Sequence, residues 1–274
     1  MISDFGSSGF RIWVLVLLTA CAGACAEKTA TITPGQADAD KFLFDRGTAA
    51  ANDKKWLDAR EYFRNLVDNY PQSPFRPDAK LALGDTYISD GGTENLLLAA
   101  NEFREFLTFY PTHPRADYAQ LQLARSYTNQ MLAPERDQQA TRDAIKEIEI
   151  FLQRFPNSKL MPEARKMERE AKDRLSEANY RVGFFYYRIK WYTGAENRFK
   201  EIVKNDPEYT NRDALYFHLA ESLYLQGKQI PAEAESKAKF AEALPYYERL
   251  VKEFEKSEYL EAAQKRISEL KNPS

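Results

Sequence analysis

Apolar positions between residues 41 and 270 recur at helical spacing, in blocks that four times end at a proline. Within a block the apolar residues lie three or four positions apart, which places them on one stripe of an α-helix. The prolines lack a backbone donor and bias the preceding residue away from helix. The pattern therefore predicts a series of amphipathic helices separated by short turns.

The blocks are copies of one another. In the four that end at a proline, an alanine lies twelve residues before the proline and a larger apolar residue lies eight before it. The alanines are Ala59, Ala99, Ala144 and Ala195, and the larger residues are Phe63, Phe103, Ile148 and Phe199. A fifth copy has Ala243 and Tyr247 but no proline. This spacing matches the second half of the tetratricopeptide (TPR) pattern.

Small residues earlier in each copy mark the place where the two helices of a pair are expected to touch. They are Gly47, Gly84, Ala124, Gly183 and Ala220. One helix pair cannot bury its own apolar face, whereas stacked pairs can. The sequence therefore predicts an all-α fold, a TPR right-handed superhelix of about five helix pairs with a C-terminal capping helix.

This interpretation assigns residues 41–271 to the TPR domain. We expect repeats at 41–72, 77–112, 115–157, 161–208 and 212–256, and the capping helix at 258–270. Three segments exceed the usual repeat length and are expected to be inserts between helices, at 91–93, 131–139 and 226–239. Residues 162–190 contain no proline after the first position and predict one long helix.

The N-terminal segment has the features of an export signal. The apolar run at residues 12–18 is far shorter than the roughly 20 residues that span a bilayer. The string ending at Cys21 resembles a bacterial lipobox, so we expect a lipoprotein signal peptide at 1–20, an acylated Cys21 and a flexible tether at 21–40. Several acyl chains on one cysteine give durable membrane attachment. The alternative is an ordinary secretory signal cut near Ala24, which leaves Cys25 as a free thiol.

Composition narrows the function classes. The chain has 39 basic and 41 acidic residues, so it lacks the single-sign field that nucleic-acid binding needs. Both cysteines precede residue 26, and the two histidines, His113 and His218, form no metal-binding motif. No nucleophile–base pair or phosphate loop is visible. We therefore expect no enzymatic activity, no cofactor, no metal and no nucleic-acid partner.

Several turn strings resemble a known family. They are Tyr70-Pro71-Gln72-Ser73-Pro74, Tyr110-Pro111-Thr112-His113-Pro114, Phe155-Pro156-Asn157-Ser158 and the pair Asn197-Arg198. Together with the lipobox they are similar to the BamD family of outer membrane assembly lipoproteins, over nearly the whole span 18–270. The chain departs from that family at Ile189-Lys190, where Arg-Gly is usual, and in the shorter segment 131–139.

The resemblance implies a lipid-anchored scaffold on the periplasmic face of the outer membrane, within the β-barrel assembly (BAM) complex. Its C-terminal repeats would bind the periplasmic POTRA domain of a BamA-type barrel insertase, with Arg198 and Asn197 as contacts. Its N-terminal repeats would receive unfolded outer membrane proteins, and other BAM lipoproteins are further partners. The alternative for Arg198 is a solvated helix residue that pairs with Glu201 or Glu196.

Residues of the first helices are expected to line the concave groove of the superhelix. These positions are Phe44, Asn52, Leu81, Asp85, Ile88, Tyr118, Arg125 and Asn129. They either bind an extended client peptide or form ordinary surface. The alternative function is that of another periplasmic TPR lipoprotein, such as a pilotin-like secretin assembly factor or a cell-envelope coordination factor.

Overall fold

The computed structural model describes residues 38–272, and from Asp40 onward these residues belong to one compact unit. The expected signal peptide, Cys21 and nearly all of the tether lie outside the described residues.

Residues 38–272 contain eleven α-helices and no strand. The helices are α1 (Ala39–Asn52), α2 (Trp56–Asn69), α3 (Arg76–Asp90), α4 (Thr93–Phe109), α5 (Ala116–Thr128), α6 (Gln139–Arg154), α7 (Met161–Arg188), α8 (Tyr192–Asn205), α9 (Arg212–Gln229), α10 (Glu233–Glu253) and α11 (Leu260–Lys271).

The helices form five consecutive pairs, α1/α2 to α9/α10, and α11 packs against α10. From α3 to α9, the first helices of neighbouring pairs also touch one another. This confirms the predicted TPR fold with its capping helix. The long helix predicted at 162–190 is confirmed as well, since α7 has 28 residues.

Glycine in the first helix of a pair meets a buried phenylalanine in the second. A Cβ atom placed on Gly84 would lie 2.6 Å from the Phe103 ring, and one on Gly183 would lie 2.6 Å from the Phe199 ring. Both rings are completely buried. Because no side-chain atom fits into so short a gap, the missing Cβ allows the paired helices to approach closely.

The fifth pair differs from the sequence prediction. Residues 226–239 do not form a long insert between helices, since α9 continues to Gln229 and α10 begins at Glu233. Gly227 lies against Phe240, where a Cβ would come within 2.6 Å of the ring. Gly227 is seven residues after Ala220, and Phe240 is seven before Tyr247. The extra residues therefore repeat the small–aromatic contact two turns farther and lengthen both helices.

The turns between pairs are fixed by hydrogen bonds from a hydroxyl to the preceding pair. Ser158 Oγ donates to Asp117 Oδ2 at 2.6 Å, and Ser257 Oγ donates to Asp213 Oδ2 at 2.7 Å. The turn at Phe254 lacks proline but keeps its shape, because the Ser257 amide donates to the Phe254 carbonyl oxygen at 3.1 Å. These bonds explain why serine recurs in the turn strings.

The buried imidazole of His218 joins three helices. It lies among the rings of Phe184, Tyr187 and Tyr259, with centroid distances of 4.9, 5.2 and 5.3 Å. Nδ1 is 2.8 Å from the Ala214 carbonyl oxygen, so this nitrogen carries the proton. Burial lowers the pKa of His218 below 6.5, against opposing contributions from Ala214 and two nearby glutamates.

Replacing Phe103 by alanine should lower the free energy of unfolding by about 3–5 kcal/mol, because the ring fills the gap beside Gly84. Phe109→Ala in the same helix is the control: this ring is 62% exposed, and its loss should change stability by less than about 0.5 kcal/mol. Chemical denaturation monitored by circular dichroism measures both. Equal losses in the two variants would contradict the assigned packing.

Acid should destabilise the protein through His218. The folded protein binds a proton there less readily than the unfolded chain does, so this contribution to stability is complete above pH 6.5 and is lost as the pH falls toward the lowered pKa. His218→Phe should flatten the dependence of melting temperature on pH in this range. A dependence that persists in His218→Phe would refute the assignment.

Candidate partner-binding surface and concave groove

An exposed apolar patch lies where α7 meets α8. We define the α7–α8 patch as Val182, Phe185, Ile189 and Trp191, whose side chains are between 37% and 56% exposed. Contiguous apolar surface of this kind marks a site where another molecule binds. The patch is therefore the first candidate for a functional surface in the described chain.

Local geometry holds Trp191 at the start of α8. Its ring lies 4.5 Å from the Tyr186 ring, at an angle of 64° between planes. It also covers Gly194, where a Cβ would lie 2.7 Å from the indole. Lys190 has a φ of +64°, a left-handed conformation that glycine adopts without strain. This conformation fits the glycine that the sequence resemblance implies at position 190.

Arg198 lies on α8 seven residues after Trp191, two turns farther along the same face. Its side chain is 41% exposed, and its Nη1 lies 3.6 Å from Glu201 Oε2. Arg198 therefore forms a long ion pair with Glu201 without a hydrogen bond, which is one of the two pairings considered from the sequence. Asn197 is exposed beside it. The pairing with Glu196 considered from the sequence is not found.

Glu196 instead connects α8 to the neighbouring helices through its buried side chain. Its buried carboxylate accepts hydrogen bonds from Lys200 Nζ at 2.6 Å, Lys239 Nζ at 2.9 Å and Gln226 Nε2 at 2.7 Å. Burial acts to raise the pKa of Glu196, but these hydrogen bonds outweigh it and the pKa is lowered. The carboxylate thus ties α8 to both α9 and α10. The sequence analysis missed this role, because Gln226 and Lys239 come from distant segments, although Lys200 follows Glu196 by one helical turn.

Basic side chains surround the patch. Arg188 and Lys190 are exposed on either side of Ile189, and Arg181 pairs with Glu177 at 2.7 Å and also with Glu135. Beside them, a cleft of about 560 Å³ separates α7 from the loop before α6. An apolar centre with a mainly cationic rim favours a partner that presents apolar side chains and carboxylates.

The predicted groove residues do not all reach the surface. Leu81 is fully buried and belongs to the core, because it lies on the stripe of α3 that faces the neighbouring helices. Phe44 stacks on Phe75 with centroids 5.5 Å apart. Asn52 and Asn129 are exposed at helix ends, and Ile88 is half-buried. Leu81 is therefore removed from the set that can contact a ligand in this conformation.

The structure brings Asp85, Tyr118 and Arg125 into one neighbourhood. The Tyr118 hydroxyl donates to Asp85 Oδ1 at 2.8 Å, and Gln122 Nε2 donates to the same oxygen at 3.2 Å. Burial raises the pKa of Asp85, and burial together with the Asp85 charge raises the pKa of Tyr118 to about 12. Arg125 pairs with Glu163. Sequence reasoning missed Gln122, although it follows Tyr118 by one helical turn.

Two features, a cluster of metal-binding side chains and a helix able to span a membrane, are not found in residues 38–272. The structure contains no group of three or more histidine, cysteine or acidic side chains that could hold a metal ion. None of the helices in this range is both long enough and apolar enough to cross a membrane.

The fold and the two surfaces define a TPR scaffold class of protein, in which stacked helices present an apolar patch and a concave groove. A family model described as "YfiO: Outer membrane lipoprotein" matches residues 36–237. The chain therefore belongs to the YfiO family of outer membrane lipoproteins, and its resemblance to BamD is confirmed.

Named relatives agree with this assignment. The outer membrane protein assembly factor BamD of Caulobacter vibrioides is 26% identical over 209 residues, which cover 76% of this chain and 67% of the relative. The same factor from Neisseria gonorrhoeae is 28% identical over 198 residues, which cover 68% of this chain and 72% of the relative.

Among solved structures, the TPR2AB domain of yeast Sti1 in its pHSP90 complex aligns with a TM-score of 0.43 at 11% identity, covering 85% of this chain and 98% of that one.

Removing the carboxylate that anchors α8 should destabilise the protein. Glu196→Ala removes the shared partner of Lys200, Lys239 and Gln226, but both lysines keep Glu242, and we expect a loss of about 1–3 kcal/mol. Glu201→Ala on the same helix removes an exposed carboxylate and should cost less than about 1 kcal/mol. Urea denaturation of both variants is the measurement. A Glu196→Ala variant as stable as Glu201→Ala would rule out the anchoring role.

Proposed function

We propose that the chain is a non-enzymatic scaffold for outer membrane β-barrel assembly. It is anchored in the outer membrane by acylated Cys21 and faces the periplasm. One surface binds the periplasmic POTRA domain of a BamA-type insertase, and the concave groove receives unfolded outer membrane proteins. Membership of the YfiO family and the two BamD relatives, each named as an assembly factor, support this proposal.

The observation that carries the proposal is the α7–α8 patch. Trp191 and Phe185 are more than half exposed, although aromatic rings are costly to leave in water. Tryptophan, tyrosine and arginine dominate the energetically important centres of protein interfaces. Trp191 and Tyr186 are in contact, Arg198 follows two turns farther along α8, and this combination of residue types fits a docking surface.

In this proposal, Arg198 recognises a negative charge on the partner. Its planar guanidinium presents paired donors that match a carboxylate in two-pronged geometry. In the free chain Nη1 lies 3.6 Å from Glu201 Oε2 in an exposed ion pair, so a partner carboxylate would compete with Glu201 for the guanidinium. An acidic side chain of the POTRA domain would bind Arg198 at the edge of the apolar contact, and Asn197 would contribute amide hydrogen bonds beside it.

Client binding is assigned to the groove formed by the first helices. The half-buried residues Phe44, Ile88 and Tyr118 offer apolar contacts, and Asp85 offers a polar one. Strands of barrel proteins alternate apolar and polar residues. Such a segment in extended form presents both kinds of side chain to the groove.

Co-purification tests the scaffold function. The lipidated full-length chain carrying an affinity tag is purified from gently solubilised membranes, and bound proteins are identified by mass spectrometry. A BamA-type barrel protein should be recovered. Recovery of a secretin in its place would contradict the proposal and favour a pilotin-like factor.

Charge reversal at Arg198 and truncation of Trp191 test the surface. Arg198→Glu and Trp191→Ala should each weaken binding of the purified POTRA domain by about thirtyfold, the effect of losing an interface centre of about 2 kcal/mol. Lys204→Glu makes the same charge change near the end of α8 and should bind like the wild type. Unchanged affinity in Arg198→Glu, with an intact circular dichroism spectrum, would remove the residue from the interface.

A further inference from the structure

The carboxylate of Asp85 lies where two first helices meet. Asp85 is on α3, and the groups that hydrogen-bond to it, Tyr118 and Gln122, are on α5. The first helices of neighbouring pairs line the concave side of a TPR stack, away from the second helices. Asp85 remains partly exposed, so its carboxylate can be reached from the groove.

Only one of the two carboxylate oxygens of Asp85 accepts hydrogen bonds from the described residues. The Tyr118 hydroxyl and Gln122 Nε2 both donate to Oδ1, and within residues 38–272 no donor reaches Oδ2. Gln122 is itself only 8% exposed. Its Nε2 is used twice, since it also donates to the Tyr118 hydroxyl at 2.7 Å. Its Oε1 is buried and has no donor in the described chain.

Two acceptor oxygens thus lack donors here: Gln122 Oε1 is buried, whereas Asp85 Oδ2 belongs to a partly exposed side chain. A ligand that brings an N–H group to Asp85 Oδ2 forms a charge-assisted hydrogen bond there. The observation indicates a ligand rich in N–H groups.

The nearby cations do not supply those donors. Arg115 Nη1 bonds to Asp78 Oδ1 at 2.9 Å, and Arg125 pairs with Glu163. With both arginines paired to carboxylates, Asp85 gives the cluster one excess negative charge. A peptide's terminal carboxylate would be repelled here, whereas a cation would be attracted.

We propose that Asp85, Tyr118 and Gln122 form a subsite for a lysine or arginine side chain of an extended client polypeptide. This inference rests on the proposed client binding and specifies its chemistry. The client cation donates to Asp85 Oδ2, while Tyr118 and Gln122 hold the carboxylate through Oδ1. The subsite therefore recognises a cationic residue within the client chain and not the client's C-terminal carboxylate.

The electrostatic state of Asp85 is consistent with this subsite. Burial raises the pKa of Asp85, and the hydrogen bonds together with the charges of Arg115 and Arg125 only partly offset it. An incoming ammonium group stabilises the ionised form. Binding should therefore be strongest above the raised pKa and should weaken as the pH falls through it.

Four synthetic peptides test the subsite with the full-length chain. All alternate tyrosine and threonine, as a barrel strand alternates apolar and polar residues. They carry a central lysine or its uncharged isostere norleucine, each with a free or an amidated C-terminus. Fluorescence anisotropy gives the affinities. We expect the lysine peptides to bind at least about tenfold more tightly than the norleucine peptides, because they gain one charge-assisted hydrogen bond. Amidation should make no difference.

Asp85→Asn is the critical variant, because the amide keeps the shape and still accepts from Tyr118. It should abolish the preference for lysine while the melting temperature stays close to that of wild type. Glu94→Gln, an exposed residue in the first turn of α4, makes the same charge change and should keep the preference.

The outcomes separate this inference from the proposed function. If no peptide binds the wild-type chain, both client binding and the subsite are wrong. If all peptides bind equally, or if Asp85→Asn keeps the lysine preference, the subsite is wrong and client binding stands. A free carboxylate that binds about tenfold more tightly than the amide would also overturn the subsite.

Discussion

The distance between the two helices of each pair is the constraint on which the rest of the structure depends. Where a glycine of the first helix faces an aromatic ring of the second, the ring fills the place of the missing side chain. The helices then lie close enough to exclude water along their length, and each pair presents an apolar face to the next. Fold, groove and outer surfaces all follow from repeating this contact.

The two candidate surfaces arise from the same stacking in different ways. The groove exists because only the first helices meet on one side, which brings Asp85 of α3 beside Tyr118 of α5. The α7–α8 patch exists because α7 is long and ends in aromatic and aliphatic residues that no neighbouring pair covers. Beneath it, the Glu196 network keeps α8 in a fixed position, so Arg198 and Trp191 are presented on a rigid support.

Much of this could be predicted from sequence because it is local. The spacing of Ala99 and Phe103 before Pro111 predicts the helix, its buried face and its end from one short segment. The long helix α7 follows from the absence of breakers. Five pairs and a capping helix follow from counting copies.

The remaining features depend on contacts between distant segments. Residues 226–239 were expected to be an insert between helices because this copy exceeds the usual repeat length, yet α9 and α10 occupy most of the segment and Gly227 packs against the Phe240 ring. Leu81 was expected in the groove because helix phase alone does not tell an inner face from a buried one. Two of the three partners of Glu196, Gln226 and Lys239, come from other helices, which no local pattern contains.

The central claim is that the α7–α8 patch is covered by a partner in the assembled complex. Cross-linking in living cells tests it most directly, with a photoreactive amino acid in place of Ile189 and, for comparison, in place of the exposed Lys166 on the first half of α7. We expect position 189 to cross-link to the BamA-type insertase and position 166 to give little of that product. Absence of the adduct at position 189, in cells where the two proteins still co-purify, would contradict the claim.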